Sequence, residues 1–330
     1  VMPKPIDRFV SENSENISRI DTTFIAVSAQ TNKNLAFINN TISVSTEIEV
    51  YTRSLGNSLI SGHPNGNIHG SGHGQSGDFR GSWSLTEDSE VSEDFVVSGR
   101  NNVRDVLSGD TTGSIGETAV GTGTSDASSG DSSLETETGR VFAWGKPGGN
   151  TNESIAESIF LFNEFGDAVT EYGVYSGNGK LYNRIVTSQV DPTLEEEIRT
   201  ETTFTITGRG IGNSKLTNKG EEQIANSIRS VDSAIGLDKV VFGDGTTDPS
   251  KSDTSLVNKT FEKVAEQQKS PETVTVHAIV FDSEPGSQPT DISELGVIDN
   301  NGNLIWRATI ETFEKDSETE FEVFAGFRAK

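Results

Sequence analysis

The chain contains no cysteine. That excludes a disulfide framework, a thiol nucleophile and a cysteine zinc site. Positive charge is scarce: 26 Lys+Arg stand against 50 Asp+Glu, a formal balance of 26 − 50 = −24. A surface this negative repels phosphate, so neither nucleic acid nor an anionic membrane is expected as a partner. Hydrophobic residues make up only 32% of the chain. No apolar run approaches the roughly 18–20 residues that cross a bilayer, so no membrane insertion is expected. Val1–Asp7 is followed by polar sequence and not by an apolar core, so no signal peptide is expected either. The chain lacks GxSxG, HExxH and a P-loop. Gly208-Arg209-Gly210-Ile211-Gly212 does not have the GxGxxG spacing, and it reads as a flexible linker. Two of the many carboxylates could form a glycosidase pair, but in so acidic a chain their presence discriminates nothing. The expectation is a protein that is not an enzyme.

What is present points to β structure. Apolar residues cluster in short alternating runs separated by turn residues, and the 34 glycines punctuate them. A length of 330 residues suggests two or three domains. The low apolar fraction suggests that part of the burial comes from other copies of the chain. Thirteen lysines among so many carboxylates suit molar salt, where screening shortens charge repulsion to about 3 Å.

Self-comparison reveals a repeat. Gly121–Leu134 (GTGTSDASSGDSSL) aligns without a gap on Gly243–Leu256 (GDGTTDPSKSDTSL), 122 residues later, with eight of fourteen positions identical. Glu171–Arg184 (EYGVYSGNGKLYNR) aligns on Glu294–Arg307 (ELGVIDNNGNLIWR) at an offset of 123, with seven of fourteen identical. Gly99–Leu107 parallels Gly220–Ile228, with Val103/Ile224 and Leu107/Ile228 apolar. The first block in chain order reads as a short amphipathic helix. The next reads as a strand end, Val240–Phe242, running into a polar loop whose final leucine anchors it to the core. The last reads as a hairpin in which Asn178-Gly179 and Asn301-Gly302 signal type I′ turns. Glu201–Thr207, Val274–Phe281 and Glu320–Phe327 read as strands with one buried face.

The first 50 residues differ. Ile6, Val10, Ile17, Ile20, Phe24 and Val27, then Ile38, follow a heptad-like seam with polar interruptions. A parallel bundle of identical chains would bury such a seam. From Thr41 the period changes, and Ile42, Val44, Thr46, Ile48 and Val50 alternate as in a strand. Residues 56–81 are rich in glycine and hold His63, His69 and His73, candidate metal ligands if copies meet on an axis. The alternative is an extended connector in which these are polar residues among others. His277 lies in an alternating strand and is expected to be half-buried. Asp126/Asp131 and Asp248/Asp253 invite a divalent-cation reading. Their loops lack the ligand density of an EF-hand, however, so hydrogen bonding within the loop is the favoured role. No cofactor is expected beyond divalent or salt cations. The resulting fold class is mainly β: an N-terminal helical, coiled-coil-like stem over 1–50, a Gly/His-rich β connector over 51–94, and two tandem β-sandwich domains over 95–210 and 213–330, each with a short helix.

Leu216–Ile228 (LTNKGEEQIANSI), Val240–Leu256 (VVFGDGTTDPSKSDTSL) and Glu294–Ile310 (ELGVIDNNGNLIWRATI) together resemble a domain of tail, baseplate and fibre proteins of tailed viruses. The first copy matches less closely: it lacks the LTNKG start and has Ala127 where the second has Pro249. With the acidic composition, the resemblance implies a virion protein of a haloarchaeal tailed virus. Such a protein would be made in the host cytoplasm, carried on the particle surface and assembled as a homotrimer. It would be a tail or baseplate fibre, or a capsid turret or spike, holding other virion proteins through its stem and touching a host-surface glycoprotein or glycan. The exposed contacts would be the loops around Asp126, Asp131, Asp248 and Asp253 and the hairpin tips Asn178-Gly179 and Asn301-Gly302. A capsid decoration protein and a carbohydrate-active virion enzyme remain as alternatives.

Overall fold

A computed structural model describes residues 33–54, 83–92, 95–110, 113–161, 164–165, 168–192, 196–210, 212–230, 235–284, 290–316 and 320–329. The chain is mainly β, with two helices among the described residues. It opens with β1 (Lys33–Ser54) and β2 (Ser84–Ser92). The first repeat then supplies α1 (Val97–Leu107), β3 (Ile115–Gly121), β4 (Glu137–Phe142), β5 (Trp144–Pro147), β6 (Glu153–Phe160), β7 (Val169–Ser176), β8 (Leu181–Val190) and β9 (Glu196–Gly210). After the short β10 (Ser214–Leu216), the second repeat supplies the same succession. Its elements are α2 (Asn218–Arg229), β11 (Leu237–Gly243), β12 (Lys259–Val264), β13 (Glu266–Ser270), β14 (Thr273–Val280), β15 (Thr290–Asp299), β16 (Leu304–Lys315) and β17 (Glu320–Ala329). The match extends to individual residues: β3 and β11 bury the same positions, and so do β4 and β12.

Each repeat divides its strands between two sheets. β4-β3-β7-β8 form one small sheet, and β12-β11-β15-β16, extended by β10, form its counterpart. The remaining strands join one large sheet in the order β13-β14-β17-β1-β9-β6-β5, with β2 also paired to β1. β1 is the shared member. Its first half runs parallel to β17 (Lys33↔Glu320 to Ile42↔Ala329), and its length runs antiparallel to β9 (Asn40↔Gly210 to Ser54↔Glu196). The alternation from Ile42 to Val50 turns those residues onto the buried face, so β1 seals the join between the repeats.

The helices cross over. α1 packs on β8 of its own repeat but also on β14 and β17 of the other, and α2 packs on β16 but also on β5, β6 and β9. Val103, Val106 and Leu107 of α1 and Ile224 and Ile228 of α2 belong to one continuous core with Phe204, Phe242, Trp306 and Phe327. Polar contacts follow the same exchange. Arg100 pairs with Glu272 at 3.0 Å, and Ser154 Oγ donates to the Ala225 carbonyl at 2.5 Å. The two repeats are therefore fused through a common sheet, a common core and exchanged helices.

Three expectations need correction. A helical stem is not supported. The seam positions Ile6, Val10, Ile17, Ile20, Phe24 and Val27 lie outside the described residues, and the chain is already a strand at Lys33, which includes Ile38. Gly208-Arg209-Gly210 is no linker: it is the end of β9, registered on Asn40–Ile42. Gly208 is required there by close approach, because a Cβ would sit 2.2 Å from that of Leu216. Nor are the hairpin turns type I′. Gly179 N–H donates to the Ser176 carbonyl and Ser176 N–H to the Lys180 carbonyl, and only Gly179 has positive φ (77°). Gly302 repeats this with Asp299, Asn303 and a φ of 82°. These are three-residue loops, a type I turn closed by a left-handed glycine.

Candidate functional site: two Arg–Glu loop clasps

The residues shared by the two repeats converge on one arrangement, built twice. Glu171 leaves β7 on the buried side and has no exposed surface. Its carboxylate accepts from the backbone amides of Thr136 (2.7 Å), Glu135 (2.9 Å) and Gly123 (3.0 Å), and from Arg184 Nε (2.8 Å). Arg184, on the neighbouring strand β8, extends Nη1 to Asp131 Oδ2 (3.1 Å) and Nη2 to Glu135 Oε2 (3.3 Å). The loop between β3 and β4 is thus wrapped around a guanidinium and pinned at both ends to one carboxylate.

In the second copy Glu294 accepts from Asn258 N (2.8 Å), Val257 N (3.2 Å), Gly245 N (3.3 Å) and Arg307 Nε (3.0 Å). Arg307 reaches Asp253 Oδ2 at 2.7 Å and the Thr247 carbonyl at 2.8 Å. Asp131 and Asp253 also accept from the amides of Ser128 and Ser250, closing a turn inside each loop. Leu134 and Leu256, the last residues of the matching blocks, are buried over Gly173 and Gly296, where a Cβ would lie 2.8 Å and 3.0 Å from them. The first turn of each helix is tied to its loop by Val97 N to the Ser129 carbonyl and Asn218 N to the Lys251 carbonyl.

The electrostatics explain why two charges can sit inside. Burial alone pushes the Glu171 carboxyl up, but the Thr136 amide, the Arg184 guanidinium and the Glu135 and Gly123 amides outweigh it and hold it below its ordinary value. A guanidinium with several planar donors satisfies carboxylate and carbonyl oxygens at once, which a lysine ammonium cannot do in the same geometry. Of the aspartates in the divalent-cation reading, Asp131 and Asp253 are paired with Arg184 and Arg307.

The predicted contact residues therefore separate. Asp131 and Asp253 face the clasps. The side chains of Asp126 and Asp248 are exposed, while their carbonyls lie 3.5 Å and 3.4 Å from Arg184 and Arg307. Asn178, Gly179, Asn301 and Gly302 are exposed at the hairpin tips. The tips are not beside the loops: β3 begins opposite Ser176 and ends opposite Glu171, so a strand length of about 20 Å separates them. His63, His69 and His73 lie outside the described residues. Among the described residues, no group of three His, Cys, Asp or Glu could hold a metal ion. His277 is buried, not half-buried: it stacks on Phe324 at 4.3 Å, with Nε2 3.5 Å from Glu322. No helix among the described residues is long and apolar enough to cross a membrane.

Sequence reading missed the roles of Glu171, Glu294, Arg184 and Arg307, although a signal was there. Each is identical between copies, and in both copies the Glu stands 13 positions before the Arg. No protein-family model, curated protein or solved structure matches the chain.

Proposed function

We propose that the chain is a structural, contact-making protein: a homotrimeric appendage of a tailed-virus particle that attaches to a host surface in high salt. The observation that carries this reading is the doubled clasp. In it the buried Glu–Arg pairs hold two equivalent polar loops in fixed shape on a fused β body. Loops fixed in this way lose little entropy on contact, which favours recognition by surface complementarity. The resemblance of the second repeat's motifs to tail, baseplate and fibre domains supplies the particle context. Three copies would present six loops, so weak individual contacts would add through avidity.

The test uses the full chain in molar salt. Labelled protein is titrated onto a panel of haloarchaeal cells and their isolated surface glycoprotein, alongside mass measurement in solution. Saturable binding by a trimer is expected, weakened at least tenfold when Asp126 and Asp248 are both replaced by arginine. A monomer that binds none of these surfaces would overturn the reading. Antibody-gold labelling of virus particles gives an independent readout of particle location.

A further inference from the structure

The outer margins of the large sheet carry the most conspicuous feature left unused. Eight large apolar side chains are exposed among the described residues, and five of them lie in or beside its two ends, Phe142 and Val264 from the adjoining edge strands β4 and β12 of the small sheets. Phe142, Trp144 and Leu161 stand at the β5 end, and Val264 and Phe281 at the β13 end. Phe142 and Val264 are equivalent: each closes its edge strand, opposite Glu117 and Lys239 respectively. They are 61% and 71% exposed, more than any other large apolar residue described.

Both terminal strands are short. β5 pairs with β6 only from Ser154 to Glu157, so Ser158–Phe160 have no strand on that side among the described elements. β13 pairs with β14 only from Thr273 to His277, which leaves Ala278–Val280 in the same state. Following the pairings outward from β1, β6 and β14 run in opposite directions. The two stretches without a paired strand therefore fall at opposite margins of the sheet, and in each only the middle residue, Ile159 or Ile279, is partly exposed. Each end has one projecting strand and one notch, on opposite margins; β6 lies level with Ser45–Thr52 of β1 and β14 with Asn34–Thr41, so the two ends interlock when the next copy is shifted along the strands. At the β13 end the notch is a cleft lined by Val264, His277, Ile279 and Phe281.

We infer that these ends are the contact between copies of this chain, the β5 end of one copy seated in the β13 end of the next. Projection meets notch on both margins, and the apolar rims meet each other. Unpaired strand edges in a sheet invite pairing with another chain. Molar salt screens the repulsion between two acidic surfaces, and the cations at both ends offset part of the local negative charge. Arg140 pairs with Glu137 and Lys146 with Glu157 at one end, and Lys263 pairs with Glu284 at the other. A contact between two different ends is heterologous, and it closes into a ring when the rotation between copies allows. The inference rests on the trimer reading above and adds where the copies touch.

The test compares the full-length chain with Phe142→Glu and Val264→Glu, both at exposed positions, by light scattering in molar salt, with circular dichroism to show that each variant folds. The wild type should have three times the 35.4 kDa chain mass and each variant the mass of one chain. A mixture of the two variants should give dimers and stop there, because each retains one intact end. If the wild type is a monomer, both this inference and the trimer reading fall. If the wild type is a trimer and the variants remain trimers, this contact is wrong and the trimer reading stands, with its seam elsewhere in the chain. Open polymers of wild type would overturn the closed ring.

Discussion

The two repeats keep the same skeleton and differ in how much charge their clasps hold. In the first, Arg184 faces three carboxylates: Glu171, Asp131 and Glu135. In the second, the position of Glu135 is taken by the exposed Val257, and Arg307 faces two carboxylates plus the Thr247 carbonyl. The Glu–Arg pair and the inward aspartate are therefore what the loop needs, and the third carboxylate can be replaced by a backbone oxygen. The helix starts differ in the same spirit. Thr217 caps α2 by accepting from Gly220 N at 3.0 Å and also donates to the Leu304 carbonyl at 2.6 Å. Val96, before α1, makes no side-chain cap, and Ser98 Oγ instead reaches the Leu181 carbonyl at 2.6 Å.

The sharpest way to break this comparison is to remove the cation. Arg184→Ala and Arg307→Ala should each cost about 3–5 kcal/mol, because each leaves a buried carboxylate uncompensated. Arg184→Ala should cost more, since three carboxylates lose their common partner. Equal costs by denaturant unfolding in molar salt would show that Glu135 adds nothing. A smaller effect comes from pH. The Glu171 carboxyl is held low in the folded chain, so its contribution is complete above the ordinary value of 4.5 and is lost as pH falls through the folded value. Glu171→Gln should therefore be less stable than wild type at pH 7, with the gap narrowing in acid. A gap that stays constant down to pH 3 would contradict this. The smallest effect belongs to the helix start: Thr217→Ala should lower stability by about 1 kcal/mol, read from the unfolding midpoint at constant slope.

Local structure was largely legible in the sequence. The alternation in Glu201–Thr207, Val274–Phe281 and Glu320–Phe327 falls in β9, β14 and β17, save that Phe281 lies one residue past the end of β14, and the i, i+4 apolar pairs fall in α1 and α2. Period and burial are local properties, so they survive without knowledge of partners. Pairing was not legible. Nothing in Glu320–Ala329 says that it runs beside Lys33–Ile42, because parallel register is set by contacts hundreds of residues apart. The turn type was misread for a similar reason. Asn-Gly fits both a two-residue and a three-residue loop, and the strand register decides between them. The clasp was half legible. Repetition marked Glu171, Arg184, Glu294 and Arg307 as constrained, but only the fold shows that each Glu–Arg pair closes over a loop some 40 residues upstream.

The central strand carries a consequence for synthesis. A ribosome releases Lys33–Ile42 about 290 residues before the segment that flanks it on one side, Glu320–Ala329. Until then that edge has no mate, and α1 has emerged without the β14 and β17 surface on which it rests. A product cut short inside the second repeat would keep an open edge and an uncovered apolar helix face, features that chaperones and proteases act on. Placing the shared strand early and its closing neighbour late makes synthesis of the second repeat a condition for closing that edge.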